Sequence, residues 1–251
     1  MRAVDHLLRA TARAETHHFW FRGLRWFVTP LIRQALDGRP DALILDCGCG
    51  TGTNVDLLSR FGAAYGFDLS EVGLYIGREL GRKRLARASV TAAPFPSERF
   101  DLVTSFDVIY SLDDHDERAA LAEMYRLVQP GGYALFNVAA LEILRGDHSV
   151  LSREVRRYSR ATLATLVTRA GFTIVRLTYT NTTLFLPLAA IRAAHRGRGL
   201  ASEADAQQEI SVPPAPVNAL LSGVLFLESL WLRYFDSPVG SSLLCLAKKP
   251  A

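Results

Sequence analysis

The chain has 251 residues, of which 49% are hydrophobic and 22% charged, a composition that supports a packed core and excludes bulk disorder. Lys and Arg outnumber Asp and Glu by 29 to 25, and this small, dispersed excess gives no argument for a nucleic-acid partner. Three cysteines exclude a disulfide scaffold. The N-terminal residues lack the apolar segment of a signal peptide, and no uncharged apolar run reaches the ~18 residues of a membrane span. We therefore expect a cytoplasmic globular protein.

Short apolar runs alternate with helical patterns through most of the chain. Residues 1–14 are predicted to form a short polar helix, the aromatic segment 15–23 has low helix propensity, and a helix is predicted from about Leu24 to Leu36. Strands are predicted at 42–45, 63–67, 100–106, 133–138, 172–179 and 242–247, with a turn at 130–132. Helices are predicted to begin near Asn54 and Ser70 and to span 117–128 and 160–170. Such alternation predicts an α/β, doubly wound, mostly parallel sheet.

The last quarter of the chain departs from this alternation. Two apolar helices, 184–194 and 217–235, are joined by a polar, proline-rich connector. We interpret 181–238 as a helical insertion before a final edge strand at 239–251, within one domain that also contains N-terminal helices (1–40) and a core (41–180). The insertion could roof a pocket, form a dimer face or touch a membrane surface, and core packing is the favoured interpretation.

A glycine-rich loop follows the first strand and leads into a helix. It reads Asp46-Cys47-Gly48-Cys49-Gly50-Thr51-Gly52, and Thr53 occupies the place of the last glycine in the pyrophosphate-binding pattern. Asp46 ends the strand, where a carboxylate disfavours a phosphate and favours a cationic ligand. Asp68 ends the second strand about twenty residues later, where it can accept the hydroxyls of a ribose. The alternative role for Asp68 is a helix N-cap, although Ser70 fits that role better.

These features resemble the class I S-adenosylmethionine-dependent methyltransferases. The matching stretches are 45–52, Asp68, 89–96 before 100–103, and 130–132. The resemblance implies a Rossmann-like, seven-stranded sheet, S-adenosylmethionine as cofactor with S-adenosylhomocysteine as product, and no metal. It implies that Asp46, Gly48 and Gly50 hold the methionine part, that Asp68 binds the ribose, and that Leu69 packs on adenine. It places Ser89 and Val90, which replace a common Asp-Ala pair, at the adenine edge, and Asn54 and Phe106 also in the cofactor site.

The aromatic segment His18-Phe19-Trp20-Phe21-Arg22-Gly23 resembles a bacterial small-molecule subgroup of this family. The resemblance implies an N-terminal helical lid, with Trp20 over the cofactor and Arg22 near the methionine carboxylate. The alternative is an aromatic staple that packs the first helices onto the sheet. Both interpretations stay open at this point.

Methyl transfer requires an aligned nucleophile, and a base only if that nucleophile must lose a proton. Candidates lie at the carboxyl ends of strands: Phe106, Asp107 and Tyr110 after one strand, and His148, Arg153, Arg156, Arg157 and Tyr158 after the next. Of these, we predict catalytic roles for His148, Tyr110 and Tyr158, and substrate contacts from Tyr110, His148, Arg156 and Arg157. Structural roles are the alternative for the histidine and the arginines. Glu154 and Tyr110-Ser111 depart from the subgroup's common His and Glu-His, which indicates a substrate of its own.

Other functions are less favoured. Cys47 and Cys49 have no partners that would complete a zinc site, so we expect both to be small buried residues that pack beneath the loop. A nicotinamide-dependent oxidoreductase must accommodate a pyrophosphate at the loop, which the carboxylate of Asp46 disfavours. A catalytically silent S-adenosylmethionine-binding module stays open as an alternative. The residues after the fourth strand do not match the Asn/Asp-Pro-Pro-Tyr motif of nucleic-acid N-methylation. We expect a small-molecule acceptor, either hydrophobic or anionic, methylated on oxygen or nitrogen, and a monomer or homodimer.

Overall fold

The computed structural model describes residues 11–145, 154–196 and 212–251. Seven strands form one sheet in the order β3-β2-β1-β4-β5-β7-β6. The strands are β1 (Leu43–Cys47), β2 (Ala63–Asp68), β3 (Leu85–Arg87), β4 (Phe100–Phe106), β5 (Val128–Ala139), β6 (Thr173–Thr180) and β7 (Ser242–Lys248). All pairings are parallel except those of β7, which runs antiparallel to both β5 and β6. The predicted doubly wound, seven-stranded, mostly parallel sheet is confirmed.

Helices cover both faces of this sheet. They are α1 (Phe19–Leu36), α2 (Thr53–Leu58), α3 (Glu71–Glu79), α4 (Asp114–Leu127), α5 (Arg160–Arg169), α6 (Phe185–Arg196) and α7 (Ala215–Trp231). The buried apolar stripe of α1, with Phe27, Leu31 and Ile32, packs on one face together with Leu225 of α7. The other face is covered by α4 and α5. Burying each such Leu, Ile or Phe stabilises the fold by about 1.5–3 kcal/mol, so α1 is a structural part of the domain.

The sheet reverses its strand order between β1 and β4. The chain winds from β1 toward β3 on one side and from β4 toward β5 on the other, and the connecting loops part at this point. In open α/β sheets, ligands bind in the crevice outside the carboxyl ends of the strands at such a reversal. Asp46, the second-last residue of β1, is in register with Thr104 of β4, which places the glycine-rich loop at this crevice.

Four elements differ from the prediction. The first long helix begins five residues before the predicted start near Leu24, because α1 starts at Phe19 with His18 as its N-cap. The predicted turn at 130–132 lies within β5. The pairing with β4 shifts there, from Phe100 opposite Val128 to Leu102 opposite Tyr133, and Gly131 in the irregular stretch has φ 76°. The short strand β3 was missed. The last strand is not at the edge, because β7 lies between β5 and β6. No helix among the described ranges is long and apolar enough to cross a membrane.

Candidate functional site

The glycine-rich loop between β1 and α2 folds back onto the end of β2. The amides of Gly48 and Cys49 donate to the Phe67 carbonyl at 2.8 and 3.0 Å, and the Gly50 amide donates to Asp68 Oδ2 at 2.8 Å. Gly48 and Gly50 have φ values of 81° and 57°, a conformation that favours glycine. Because these amides are engaged within the protein, the loop does not offer them to a phosphate. This arrangement favours a ligand that brings its own donors.

Asp46 lies beneath this loop with 1% of its surface exposed. Its Oδ1 accepts a hydrogen bond of 2.7 Å from the Thr104 hydroxyl. Its Oδ2 is buried and has no hydrogen-bond partner among the described residues. Burial raises the pKa of Asp46 to about 7, against the opposing effect of the Thr104 hydrogen bond, and the nearby Asp68 raises it further. A buried carboxylate oxygen without a partner is costly, so the position suits a cationic donor such as an ammonium group.

Asp68 is half-buried at the end of β2. Its Oδ1 accepts from the Ser70 amide and its Oδ2 from the Gly50 amide, both at 2.8 Å. Burial raises its pKa, and these backbone hydrogen bonds oppose the increase. Each carboxylate oxygen can accept a second hydrogen bond, which two vicinal hydroxyls can supply. Ser70 caps α3 through the Gly73 amide, as predicted, and Leu69 is 59% exposed beside the carboxylate.

Of the remaining residues predicted for the cofactor site, some lie next to the loop and others pack in the core. Ser89 directs its hydroxyl to Thr91 Oγ1 at 2.8 Å, so it is engaged in a local turn. Val90 packs against the core cluster under α4 and α5, and Phe106 is 7% exposed in the cluster under α1. Asn54 is half-buried in the first turn of α2. Asn54 therefore lies next to the loop, whereas Val90 and Phe106 chiefly support it by packing.

The N-terminal aromatic segment packs on the helical insertion. The Arg22 guanidinium stacks over Trp26, 5.2 Å from the ring centroid, and its Nη1 lies 3.5 Å from the Ser222 hydroxyl of α7. A side chain at Gly23 would meet Leu225 Cδ1 at 2.6 Å, and the ring of half-buried Trp20 meets Phe19 edge to face. These contacts favour the aromatic staple over the lid, because they give Arg22 partners in α1 and α7.

The two arginines after β5 form internal ion pairs. Arg157 Nε contacts Glu154 Oε2 at 2.8 Å, and both side chains are more than nine-tenths buried. Arg156 Nη1 lies 2.7 Å from Asp114 and 3.1 Å from Glu117 of α4. Glu154, which stands where the subgroup commonly has histidine, is therefore the partner of Arg157. These contacts favour the structural alternative for both arginines over binding of an anionic substrate.

Two of the predicted catalytic residues, Tyr110 and Tyr158, are buried. Tyr158 is 3% exposed and its hydroxyl donates to the Glu117 carboxylate; burial and that contact raise its pKa strongly. Tyr110 is 6% exposed, and its carbonyl accepts from the amides of Val155 and Arg156. Both are parts of the interior, which argues against a role in proton transfer. His148 and Arg153 lie outside the described residues.

Three residues near the loop had not been predicted as site residues. Thr104 orients Asp46, and Asn137 of β5 is 3% exposed with its Nδ2 donating to Asp107 Oδ1 at 3.0 Å. Glu15 accepts from the Thr51 hydroxyl at 2.7 Å and so joins the N-terminal segment to the loop. A polar residue inside the apolar run of β5 is the signal that could have identified Asn137.

The cysteines of the loop are buried and unpaired by disulfides. Burial raises the pKa of both Cys47 and Cys49, which keeps the thiols protonated and unreactive. They fill space under the loop, as expected. One group of described residues, the exposed Asp113, His115 and Asp116 near the start of α4, brings three potential ligand atoms within 4.8 Å of one another. Exposed acidic groups of this kind are common in proteins without a metal.

Comparison with known proteins shows a similarity to methyltransferases. Residues 45–136 match a family described as "Methyltransferase domain". The ubiquinone/menaquinone biosynthesis C-methyltransferase UbiE of Shewanella halifaxensis is 29% identical over 140 residues, which are 50% of this chain and 52% of that protein. The human protein named probable tRNA methyltransferase 9B is 32% identical over 147 residues, 55% of this chain and 32% of that protein. Residues 45–136 are thus similar to a methyltransferase domain, and the chain spans about half the length of the UbiE relatives it matches.

The fold agrees with this similarity. The chain is similar to the structure of a complex between the Haloferax volcanii Trm112 methyltransferase activator and a methyltransferase, with a TM-score of 0.60 and 16% identity over 97% of this chain and 95% of that one. At this identity the similarity concerns the fold. The strand order β3-β2-β1-β4-β5-β7-β6 forms the seven-stranded sheet that the sequence resemblance implied.

Proposed function

We propose that this chain, which is similar to a methyltransferase domain over residues 45–136, transfers the methyl group of S-adenosylmethionine to a small-molecule acceptor. The observation that carries the proposal is the pair of carboxylates on either side of the glycine-rich loop. Asp46 presents a buried oxygen without a partner, and Asp68 presents two oxygens fixed by backbone amides. A cationic amino-acid end and a ribose satisfy these two groups, and a pyrophosphate satisfies neither.

The residues of the chain would divide the work of binding. Asp46 would accept a hydrogen bond from the methionine ammonium group, since burial makes an unpaired carboxylate oxygen costly. Asp68 would accept from both ribose hydroxyls, and the exposed side chain of Leu69 would cover one face of the adenine. When bound, S-adenosylmethionine supplies an electrophilic methyl group on a positively charged sulfur. The protein then has to hold the acceptor atom roughly 3 Å from that methyl group, in line with the sulfur.

The acceptor is proposed to be a small molecule, methylated on oxygen or nitrogen. Two features support it: the segment after β4 packs on the loop through Val108 and Gly48, and the described chain shows no basic stripe interleaved with aromatic residues. One relative is named as a C-methyltransferase of quinone biosynthesis and another as a probable tRNA methyltransferase, so carbon and RNA acceptors are the alternatives to test. We also propose that the protein acts in the cytoplasm, as a monomer or homodimer.

Calorimetry on the full chain tests this function. We expect S-adenosylmethionine and S-adenosylhomocysteine to bind and NADH not to bind. Asp68→Ala should weaken both nucleosides by about 10- to 100-fold, because two hydrogen bonds to a charged group are lost. Asp41→Ala is the matched control, since Asp41 is exposed just before β1, at the far end of the strand from the loop.

The same experiment separates the alternatives. Binding of NADH alone, or nucleoside binding that ignores Asp68→Ala, would contradict the proposed function. Binding without formation of S-adenosylhomocysteine from a panel of phenols, amines, quinols and tRNA would indicate a silent binding module. Turnover of tRNA only would replace the small-molecule acceptor with a nucleic acid.

A further inference from the structure

Asp107 follows the last residue of β4 and lies beside the glycine-rich loop. Its neighbour Val108 packs so closely on Gly48 that a Cβ at Gly48 would lie 2.4 Å from Val108 Cγ2. Gly48 belongs to the part of the loop assigned to the methionine end of the ligand. Asp107 therefore stands next to the reacting end of the site, on the side of β4 and β5, whereas Asp68 stands at the ribose end on β2.

The backbone of Asp107 is held in an unfavourable conformation. Its φ is 61°, in the left-handed region that non-glycine residues rarely adopt, although Asp and Asn tolerate it best. Its amide donates to the Asn137 carbonyl at 2.9 Å. Such conformations persist where the surrounding structure imposes them, and they are concentrated at functional sites.

Asn137 also fixes the side chain of Asp107. It donates from Nδ2 to Asp107 Oδ1 at 3.0 Å, while its own Oδ1 is buried and has no hydrogen-bond partner within the described ranges. Asp107 is exposed, and across the described ranges no hydrogen bond to its Oδ2 is found. One carboxylate oxygen is thus anchored to β5, and the other is left for a ligand in the proposal below.

Charged groups close to Asp107 come from the segment before α5. Glu154 and Arg157 form the buried ion pair described above, and their effects on Asp107 oppose each other. Desolvation by the surrounding protein raises the pKa of Asp107 to about 7, and the Asn137 hydrogen bond opposes the increase. A carboxylate that ionises near neutral pH is suited to accept a proton.

We propose that Asp107 binds the nucleophile of the acceptor, an amine or hydroxyl group, and takes its proton, with Asn137 as the positioning residue. The proposal rests on the proposed function. As the acceptor atom gains the methyl carbon, the electron pair of the carbon–sulfur bond stays on sulfur and the N–H or O–H proton passes to Asp107 Oδ2. This assigns the acceptor to the class of compounds with a proton-bearing nitrogen or oxygen.

Sinefungin is a probe that needs no knowledge of the acceptor, because an amine on carbon replaces the methyl-bearing sulfonium. Its amine would extend toward the acceptor side and meet Asp107. We expect Asp107→Asn to lower the affinity for sinefungin relative to S-adenosylhomocysteine by about tenfold, since one charge-assisted hydrogen bond is lost. Asparagine tolerates the left-handed backbone, so the variant should fold. Asp41→Asn, the same charge change before β1, should leave the ratio unchanged.

In the parent protein, the ratio of the affinity for sinefungin to the affinity for S-adenosylhomocysteine gives a second test that needs no variant. It should fall as the pH is lowered from 8 to 5, because protonation removes the charge of Asp107. Asp46 contributes equally to both ligands, which share the amino-acid end, so it cancels in the ratio. A ratio that is indifferent to both pH and Asp107→Asn, while both ligands bind, would overturn this inference alone. Failure of both ligands to bind the parent would overturn the proposed function and the inference with it.

Discussion

The Glu15 carboxylate accepts a 2.7 Å hydrogen bond from the Thr51 hydroxyl and so connects the N-terminal segment to the glycine-rich loop. Its Oε1 lies 2.8 Å from Arg82 Nη1, an ion pair without the alignment of a hydrogen bond, and Arg82 also donates to the Thr51 carbonyl at 2.9 Å. Both charged side chains are more than nine-tenths buried. The glycine-rich loop is therefore held by Glu15 and Arg82, which both lie outside the strands of the sheet.

We expect Glu15→Gln to lower the free energy of unfolding by about 2–4 kcal/mol, because it leaves the buried charge of Arg82 without its main partner. Denaturant unfolding measures the change. Asp56→Asn is the control, since Asp56 pairs with the same arginine from an exposed position, and it should cost less than about 1 kcal/mol. Equal losses of unfolding free energy in the two variants would show that the buried ion pair stabilises the protein no more than the exposed one.

Cofactor binding should release a proton near neutral pH. The pKa of Asp46 is raised to about 7 in the free protein, so the group is partly protonated at pH 7. An ammonium group at Oδ2 favours the charged form and lowers this pKa. Calorimetry of S-adenosylmethionine binding at pH 7 in buffers of different ionisation enthalpy should therefore show proton release, which decreases toward pH 9.

Asp46→Asn should abolish that release and weaken binding, since the amide cannot titrate. The Asp41→Asn variant should behave like the parent, because its carboxylate is exposed away from the loop. Proton uptake on binding, or release that persists in Asp46→Asn, would be incompatible with an ammonium group on this carboxylate.

Gly48→Ala should destabilise the protein for two reasons. The residue has φ 81°, and the new Cβ would lie 2.4 Å from Val108 Cγ2. Gly38→Ala is the matched control, since it has φ 72° and no atom within 4 Å of the new Cβ, and it should cost only the conformational term of about 1 kcal/mol.

Thermal unfolding should place Gly48→Ala clearly below Gly38→Ala, and adding Val108→Ala to Gly48→Ala should recover part of the difference. If the two single variants unfold at the same temperature, the close approach of Val108 does not limit residue 48.

Tyr158→Phe separates a structural role from a catalytic one. The buried hydroxyl donates to Glu117, so its loss should cost about 1–3 kcal/mol in unfolding free energy. S-adenosylhomocysteine affinity and methyl transfer per folded molecule should be unchanged. Tyr234→Phe, at an 80% exposed residue, should change neither quantity. A selective loss of transfer in Tyr158→Phe would restore its predicted catalytic role.

The sheet could be predicted because its strands are short apolar runs ended by polar residues. The two acidic strand ends, Asp46 and Asp68, were visible for the same reason, as their spacing reflects one strand–loop–helix–strand unit. The helical start of α1 was not visible, because the packing of Gly23 on Leu225 overrides the low helix propensity of the aromatic segment.

The residues after β5 show why side-chain roles are harder to predict. Arg157 and Tyr158 have the types expected of a substrate site, yet both face the interior, where Glu154 and Glu117 satisfy them. Glu154 is only three residues from Arg157, whereas Glu117 lies 41 residues before Tyr158, and the burial of both pairs depends on tertiary geometry that residue types do not encode. Asp107 shows the converse, since its significance depends on a backbone angle and on a partner thirty residues later.

The position of β7 between β5 and β6 also affects how the protein is made. Strand β6 joins the sheet only through β7, and Ser242–Lys248 is translated more than sixty residues after β6 ends at Thr180. Until the ribosome releases those residues, the edge of β5 that faces β7 is unpaired and β6 has no partner strand. Such edges are templates for aggregation, so the newly synthesised protein depends on rapid closure or on chaperones during that interval.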